Sequence, residues 1–256
     1  MSDKRKIIAI IQARLGSSRL PGKVLMDIEG KTMLERVVLR TREALSVQEV
    51  VVTMPTSSRD DVLAQFCEEK GIVYERGKEE DVLDQYVQAA KTHGARSVVR
   101  ITADCPLIDP RIIDLAISRF FEHDVDYLST GRLVTTFPDG LDTEVFTFSA
   151  LERAWKEARL PSEREHVTPY LWNHPELFRI DTLTNVQDLS SFRWTVDELR
   201  DIEFVRSVYR EFKGKETFGM EDVILLLEQK PELGNINSDI LRNSGYYKSL
   251  REEGSE

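Results

Sequence analysis

Residues 12–23 read Gln-Ala-Arg-Leu-Gly-Ser-Ser-Arg-Leu-Pro-Gly-Lys, a combination suited to holding phosphate. Gly16 and Gly22 let the backbone turn sharply and come close to a ligand. Ser17, Ser18 and backbone amides can donate to phosphate oxygens, and Arg14, Arg19 and Lys23 supply the charge a polyphosphate needs. From Ile7 to Met26 there is no acid, although the chain carries a formal net charge of -10. The loop is not a Walker A motif: five residues separate Gly16 from Gly22, and Val24 follows Lys23 where that motif has Ser or Thr. The dinucleotide pattern G-x-G-x-x-G is absent. The alternative role is a basic surface turn with solvated arginines.

A second stretch, residues 100–110, reads Arg-Ile-Thr-Ala-Asp-Cys-Pro-Leu-Ile-Asp-Pro. Asp104 stands in a turn fixed by Pro106. A hard oxygen ligand there suits Mg²⁺, which takes one or two carboxylates together with phosphate oxygens. Asp197 in Arg193-Trp194-Thr195-Val196-Asp197-Glu198 has a similar setting, where an expected strand gives way to a helix. The competing role of each is a turn or helix cap, as expected of Asp109 before Pro110.

These residues need a scaffold, and the hydrophobic periodicity outlines one. Strands are expected at Ile7–Ile11, Glu49–Thr53, Ile72–Tyr74, Ser97–Ile101 and Val125–Leu128. Helices are expected at Lys31–Leu45, Ser58–Lys70 with Ser58 as its cap, Glu80–His93 and Pro110–Phe121. This β-α rhythm implies a mostly parallel sheet with helices on both faces, and such sheets bind ligands at the carboxyl ends of their strands. Further strands are expected at Glu144–Phe148, Phe178–Thr182 and Phe192–Thr195, and helices at Ala150–Ala158, Glu198–Phe212 and Met220–Glu228. One α/β domain over residues 1–215, with an insert near 130–195, precedes a C-terminal helical extension at 216–256.

Composition sets the outer limits. The 256 residues are 41% hydrophobic and 31% charged, ordinary for a globular chain and not for a disordered one. With 45 acids against 35 lysines and arginines, a nucleic-acid polymer is not the expected partner. The apolar run at Ile7–Ile11 is too short for a secretory signal, and no stretch has the roughly 20 apolar residues of a membrane span. The two cysteines, Cys67 and Cys105, are too few for a disulfide framework and are expected as reduced thiols of a cytoplasmic protein.

Taken together, the chain resembles the sugar-nucleotide cytidylyltransferases, the group of acylneuraminate and ketodeoxyoctonate cytidylyltransferases, and within it the spore-coat polysaccharide (SpsF-like) branch. The likeness rests on residues 11–23 and 100–110, on Glu80-Asp81-Val82-Leu83-Asp84-Gln85-Tyr86, Arg164-Glu165-His166-Val167-Thr168-Pro169-Tyr170 and Thr195-Val196-Asp197, and at the tail on Asn235–Asn237 and Asn243–Leu250. It implies a GT-A-like nucleotide-diphospho-sugar transferase fold, a homodimer, and transfer of CMP from CTP to a small anionic acceptor with release of pyrophosphate. By position it implies Ala13, Arg14, Gly16, Ser18, Arg19, Lys23, Thr53, Ser57 and Asp104 at the nucleotide, and Asp104 and Asp197 at Mg²⁺. Arg14, Lys23, Asp104 and Asp197 are then the catalytic set, and Asp81, Gln85, Arg164, Glu165 and His166 lie toward the acceptor. Gln85 stands where relatives often carry Arg. His166 is either a proton carrier or a structural histidine. Transfer from another nucleoside triphosphate, a phosphate or phosphonate acceptor, and a GT-A glycosyltransferase are the competing readings.

Overall fold

The computed structural model describes residues 6–215, 217–240 and 242. The first apolar run forms β1, Ile7–Gln12. Its side chains alternate between two cores: Ile7, Ala9 and Ile11 join one, Ile8 and Ile10 the other. A strand apolar on both faces belongs inside a sheet covered on both sides. The chain continues through β2 (Asp27–Ile28), β3 (Lys31–Thr32), α1 (Met33–Arg42), β4 (Glu49–Pro55), α2 (Asp61–Glu69), β5 (Val73–Gly77), α3 (Val82–Thr92), β6 (Ser97–Thr102) and α4 (Pro110–Glu122). Then come β7 (Tyr127–Ser129), β8 (Glu144–Thr147), α5 (Phe148–Glu157), α6 (Pro161–His166), α7 (Pro169–Asn173), β9 (Ile180–Thr182), α8 (Leu199–Glu211), α9 (Met220–Gln229) and α10 (Pro231–Gly234).

A seven-stranded sheet runs in the order β5-β4-β1-β6-β8-β7-β9. Only β8 is antiparallel to its neighbours, so the other six strands share one carboxyl edge. Helices α1, α2 and α4 pack on one face and α3, α5 and α7 on the other. A third cluster, with Ile28, Trp194, Phe204, Val208 and Leu227, joins α8 and α9 to the carboxyl-edge side of the molecule. The expected mixed, mostly parallel sheet flanked by helices is the observed one. Within residues 130–195, β8 and β9 are both strands of this main sheet. Among the described residues no helix is long and apolar enough to cross a membrane.

Several local expectations are corrected. Phe192–Thr195 is not a strand but makes one bridge, Arg193 to Asp139. Its strand-forming side chains face the third core, while its backbone is taken up by a turn: the Asp139 amide donates to Phe192 O at 2.9 Å and the Trp194 amide to Asp139 O at 2.6 Å. Helix α1 starts two residues late because Thr32 caps it, accepting from the Glu35 amide. Ser57, not Ser58, caps the single 3₁₀ turn that leads into α2. The short helices α6, α7 and α10 each open on a proline and were not foreseen. The tail residues 243–250 lie outside the described residues.

Candidate active site

The glycine-rich loop leaves β1 at the carboxyl edge and is shaped from outside. The Ala13 amide donates to Thr53 O of β4 at 2.9 Å, and the Leu15 amide to Asp60 Oδ1 at 2.8 Å. Asp60 is fully buried just ahead of α2. Gly22 has φ 71° and closes the loop by donating to Leu15 O at 3.0 Å. At Gly16 a β-carbon would stand 2.6 Å from the Arg59 guanidinium, so a side chain there would displace that arginine. Ser18 and Arg19 are exposed on the loop.

Lys23 follows Gly22 into a 3₁₀ turn and is buried, 7% exposed. Its ammonium donates to Asp104 Oδ2 at 2.8 Å, Val196 O at 2.7 Å and Asp197 Oδ1 at 2.9 Å. Burial pulls the Lys23 pKa down, but the two carboxylates outweigh it and the net shift is upward. Burial disfavours the Asp104 carboxylate; Lys23 and the Thr102 hydroxyl overcome this and hold its pKa at about 2. Asp104 and Asp197 come from turns far apart in sequence, and the backbone ties those turns together: Asp104 O accepts from the Val196 amide at 2.8 Å. Arg19 reaches Asp197 Oδ2 at 2.9 Å, and Arg193 reaches it at 3.2 Å. Asp197 does not cap the following helix, whose N-cap is Glu198.

This donor set fits a hard divalent cation that brings its own oxygens. Asp104 and Asp197 both converge within 3 Å on the Lys23 ammonium, and among the described residues no group of three or more His, Cys, Asp or Glu could hold a metal. Two carboxylates completed by waters and phosphate is the usual Mg²⁺ arrangement.

Beside this cluster a pocket is lined by Gln12, Ala13, Arg14, Thr53, Gln85, Glu165 and His166, among others. Of the sequence-expected residues, Ala13, Arg14 and Thr53 of the nucleotide set and Gln85, Glu165 and His166 of the acceptor set share this pocket. The Thr53 side chain is buried, and its hydroxyl has no hydrogen-bond partner. Gln85 donates to Lys78 O at 2.7 Å. Arg14 pairs with Glu165 at 3.2 Å. Burial, reinforced by Arg100, Arg132 and Arg14 and opposed by Glu165, lowers the His166 pKa to about 4, so its imidazole is neutral at pH 7. Asp81 and Arg164 are brought together elsewhere: Asp81 caps α3, accepting from the Asp84 amide at 2.9 Å, and pairs with Arg164, which also donates to Trp155 O. The Ser57 hydroxyl accepts from the Arg59 amide at 3.3 Å.

Sequence reasoning missed two buried networks. In one, Arg193 pairs with Asp139 at 3.1 Å, with Asp201 at 2.9 Å and with Asp197. In the other, Glu144 pairs with Arg100 and accepts from Tyr127 and Thr168. The turn signal Pro138-Asp139-Gly140 could have pointed to the first. Gly140 has φ 106°, and a β-carbon there would stand 2.5 Å from the Thr195 amide. Burial and the neighbouring Asp142 push the Asp139 carboxyl up to about 7 despite its arginines.

Comparison with known proteins bears on this geometry. A family model described as Cytidylyltransferase matches residues 8–234. The spore coat polysaccharide biosynthesis protein SpsF of Bacillus subtilis is 31% identical over 88% of this chain and 95% of its own length. The 3-deoxy-manno-octulosonate cytidylyltransferase of Geobacter sulfurreducens is 38% identical, over 54% of this chain and 55% of its own. Among solved structures, a cytidylyltransferase from Leptospira borgpetersenii serovar Hardjo-bovis superposes with a TM-score of 0.86 at 34% identity, covering 93% of this chain and 100% of that one.

Proposed function

The chain belongs to the cytidylyltransferase family, and from that membership we propose that it transfers CMP from CTP to a sugar acid or related anionic acceptor, with Mg²⁺, in the making of a surface polysaccharide. The observation that carries this reading is the convergence of Lys23, Asp104 and Asp197, with Arg19 alongside.

An acceptor oxygen attacks the α-phosphorus of CTP and pyrophosphate leaves. Such a reaction asks for positioning and charge neutralisation more than for covalent help. The glycine-rich loop presents amides and the Arg19 guanidinium to the leaving phosphates. Lys23 holds Asp104 and Asp197 together and carries positive charge to the same place. Mg²⁺, held by those carboxylates, would neutralise charge on the α-phosphate and lower the pKa of the incoming oxygen. Thr53 and Arg14 of the nucleotide set line the same pocket as Gln85, Glu165 and His166 of the acceptor set, which supports binding both substrates there. A neutral His166 with so low a pKa is a hydrogen-bonding group and a weak base at pH 7.

The test is pyrophosphate release with Mg²⁺ and each of the four nucleoside triphosphates, against a panel of sugar acids, sugar phosphates and phosphonates. Acceptor-dependent release with CTP alone supports the reading. Release with another triphosphate in preference to CTP would refute it.

A further inference from the structure

The described C-terminal segment does more than cover the third core. Asn237 is 2% exposed and donates through its amide nitrogen twice: to Arg193 O at 3.0 Å and to Asp201 Oδ1 at 2.8 Å. Asp201 is fully buried and spends its other oxygen on the backbone of the active-site turn. Its Oδ2 accepts from the Asp197 amide at 2.9 Å and from the Glu198 amide at 3.0 Å. Arg193 donates to both oxygens of Asp201 and also reaches Asp197 Oδ2. One buried carboxylate therefore fixes both the backbone and, through Arg193, the side chain of Asp197. Asn237 satisfies the remaining side of that carboxylate.

Five residues on, Arg242 grips a second part of the same wall. It donates to Phe137 O at 3.0 Å and to Asp142 Oδ1 at 2.5 Å. Gly131 makes room for this pair, since a β-carbon there would stand 1.7 Å from Asp142 Oδ1 and 2.9 Å from Arg242 Nη2. The turn so held contains Asp139, which is the partner of Arg193. The two grips meet at one guanidinium.

We infer that Asn237 and Arg242 are positioning residues of the active site, which set Asp197 through Asp201 and Arg193 and hold the 137–142 turn against them. The inference rests on the reading of Asp197 as an active-site carboxylate. A network of buried charges holds its geometry through its hydrogen bonds, and the C-terminal segment adds the Asn237 amide and the Arg242 guanidinium to it. The catalytic domain is then incomplete without its extension.

The test is hydrogen exchange at the Asp197 and Glu198 amides of the full chain, wild type against Asn237→Ala. Asn237→Leu, which nearly keeps the volume and loses the donor without adding a charge beside Asp201, stands beside it should the alanine variant fail to fold. Exchange at those two amides is expected to quicken about tenfold, the scale of one lost hydrogen bond, with Ile10 and Val99 in the central sheet unchanged. The turnover number for CTP-dependent pyrophosphate release is expected to fall by a similar factor, with the KM for CTP within about twofold of wild type. Unchanged protection at 197 and 198 in a folded variant overturns the inference. So does faster exchange with an unchanged turnover number, which would make the contact merely structural. The exchange measurement needs no nucleotide, so it decides the positioning even if CTP is not the substrate.

Discussion

The ammonium of Lys23 lies 2.8 Å from Asp104 Oδ2. With Asp197 Oδ1 at 2.9 Å on its other side, one cation holds together two carboxylates that lie 93 positions apart in the sequence. The loop, the acidic turn and the start of α8 become one site through this ammonium.

Lys23→Ala should therefore affect both rate and stability. A lost charge-assisted contact costs about 1.5–3 kcal/mol, or roughly ten- to a hundredfold in rate. Leaving a partly buried carboxylate pair without its cation should destabilise the fold by about 3 kcal/mol, near the lower end for broken buried pairs because Asp104 and Asp197 retain some exposure. Urea unfolding and pyrophosphate release check the two effects separately. A folded variant with near-wild-type turnover would remove Lys23 from the mechanism.

Thr53→Val tests whether the pocket receives the nucleotide. The Thr53 hydroxyl is buried without a partner, so the isosteric valine should leave the protein as stable or slightly more so. The KM for CTP should rise by about five- to tenfold, the scale of one hydrogen bond. An unchanged KM would show that the hydroxyl does not meet substrate.

Glu144→Gln probes the buried network beneath the site. Burial works against the Glu144 carboxylate, but Arg100 and Arg132 outweigh it and hold its pKa at about 2, below the usual 4.5. A depressed folded-state pKa contributes stability that is complete above about pH 4.5 and lost as pH falls through about 2. The glutamine variant should thus be less stable by about 3 kcal/mol at pH 7, and the gap should narrow steadily below pH 4.5. Denaturant titrations at pH 7, 4 and 2.5 measure this. A gap independent of pH would locate the effect in packing.

Cys67 and Cys105 are both buried and free. Burial raises the Cys67 pKa to about 12 and that of Cys105 well above the ordinary value. A thiol reagent at pH 8 should find neither in the native protein and both after denaturation, and modification of either cysteine in the folded state would contradict its burial.

Much of the scaffold was legible because its signals are local. The doubly buried run at Ile7–Ile11, the Pro110 start of α4 after its Asp109 cap, and the turns at Gly71 and Gly94 each depend on near neighbours in sequence. Phe192–Thr195 was misread because strand propensity reports side chains, whereas its backbone partners lie in a turn over 50 residues earlier. Helices α6 and α7 were missed because each is too short to establish a period.

The sequence by itself determined which residue types could do the chemistry, a basic, acid-free loop at 12–23 and carboxylates at 104 and 197, and that the loop and Asp104 stand at strand ends. Only the tertiary structure decided who pairs with whom. It placed Lys23 between the carboxylates, turned Asp81 and Arg164 toward each other, and brought Asn237 and Arg242 from the far end of the chain to the Arg193 network. The reason is physical: a charge's partner is set by distance and burial in space, and neither is written in the spacing of residues along the chain.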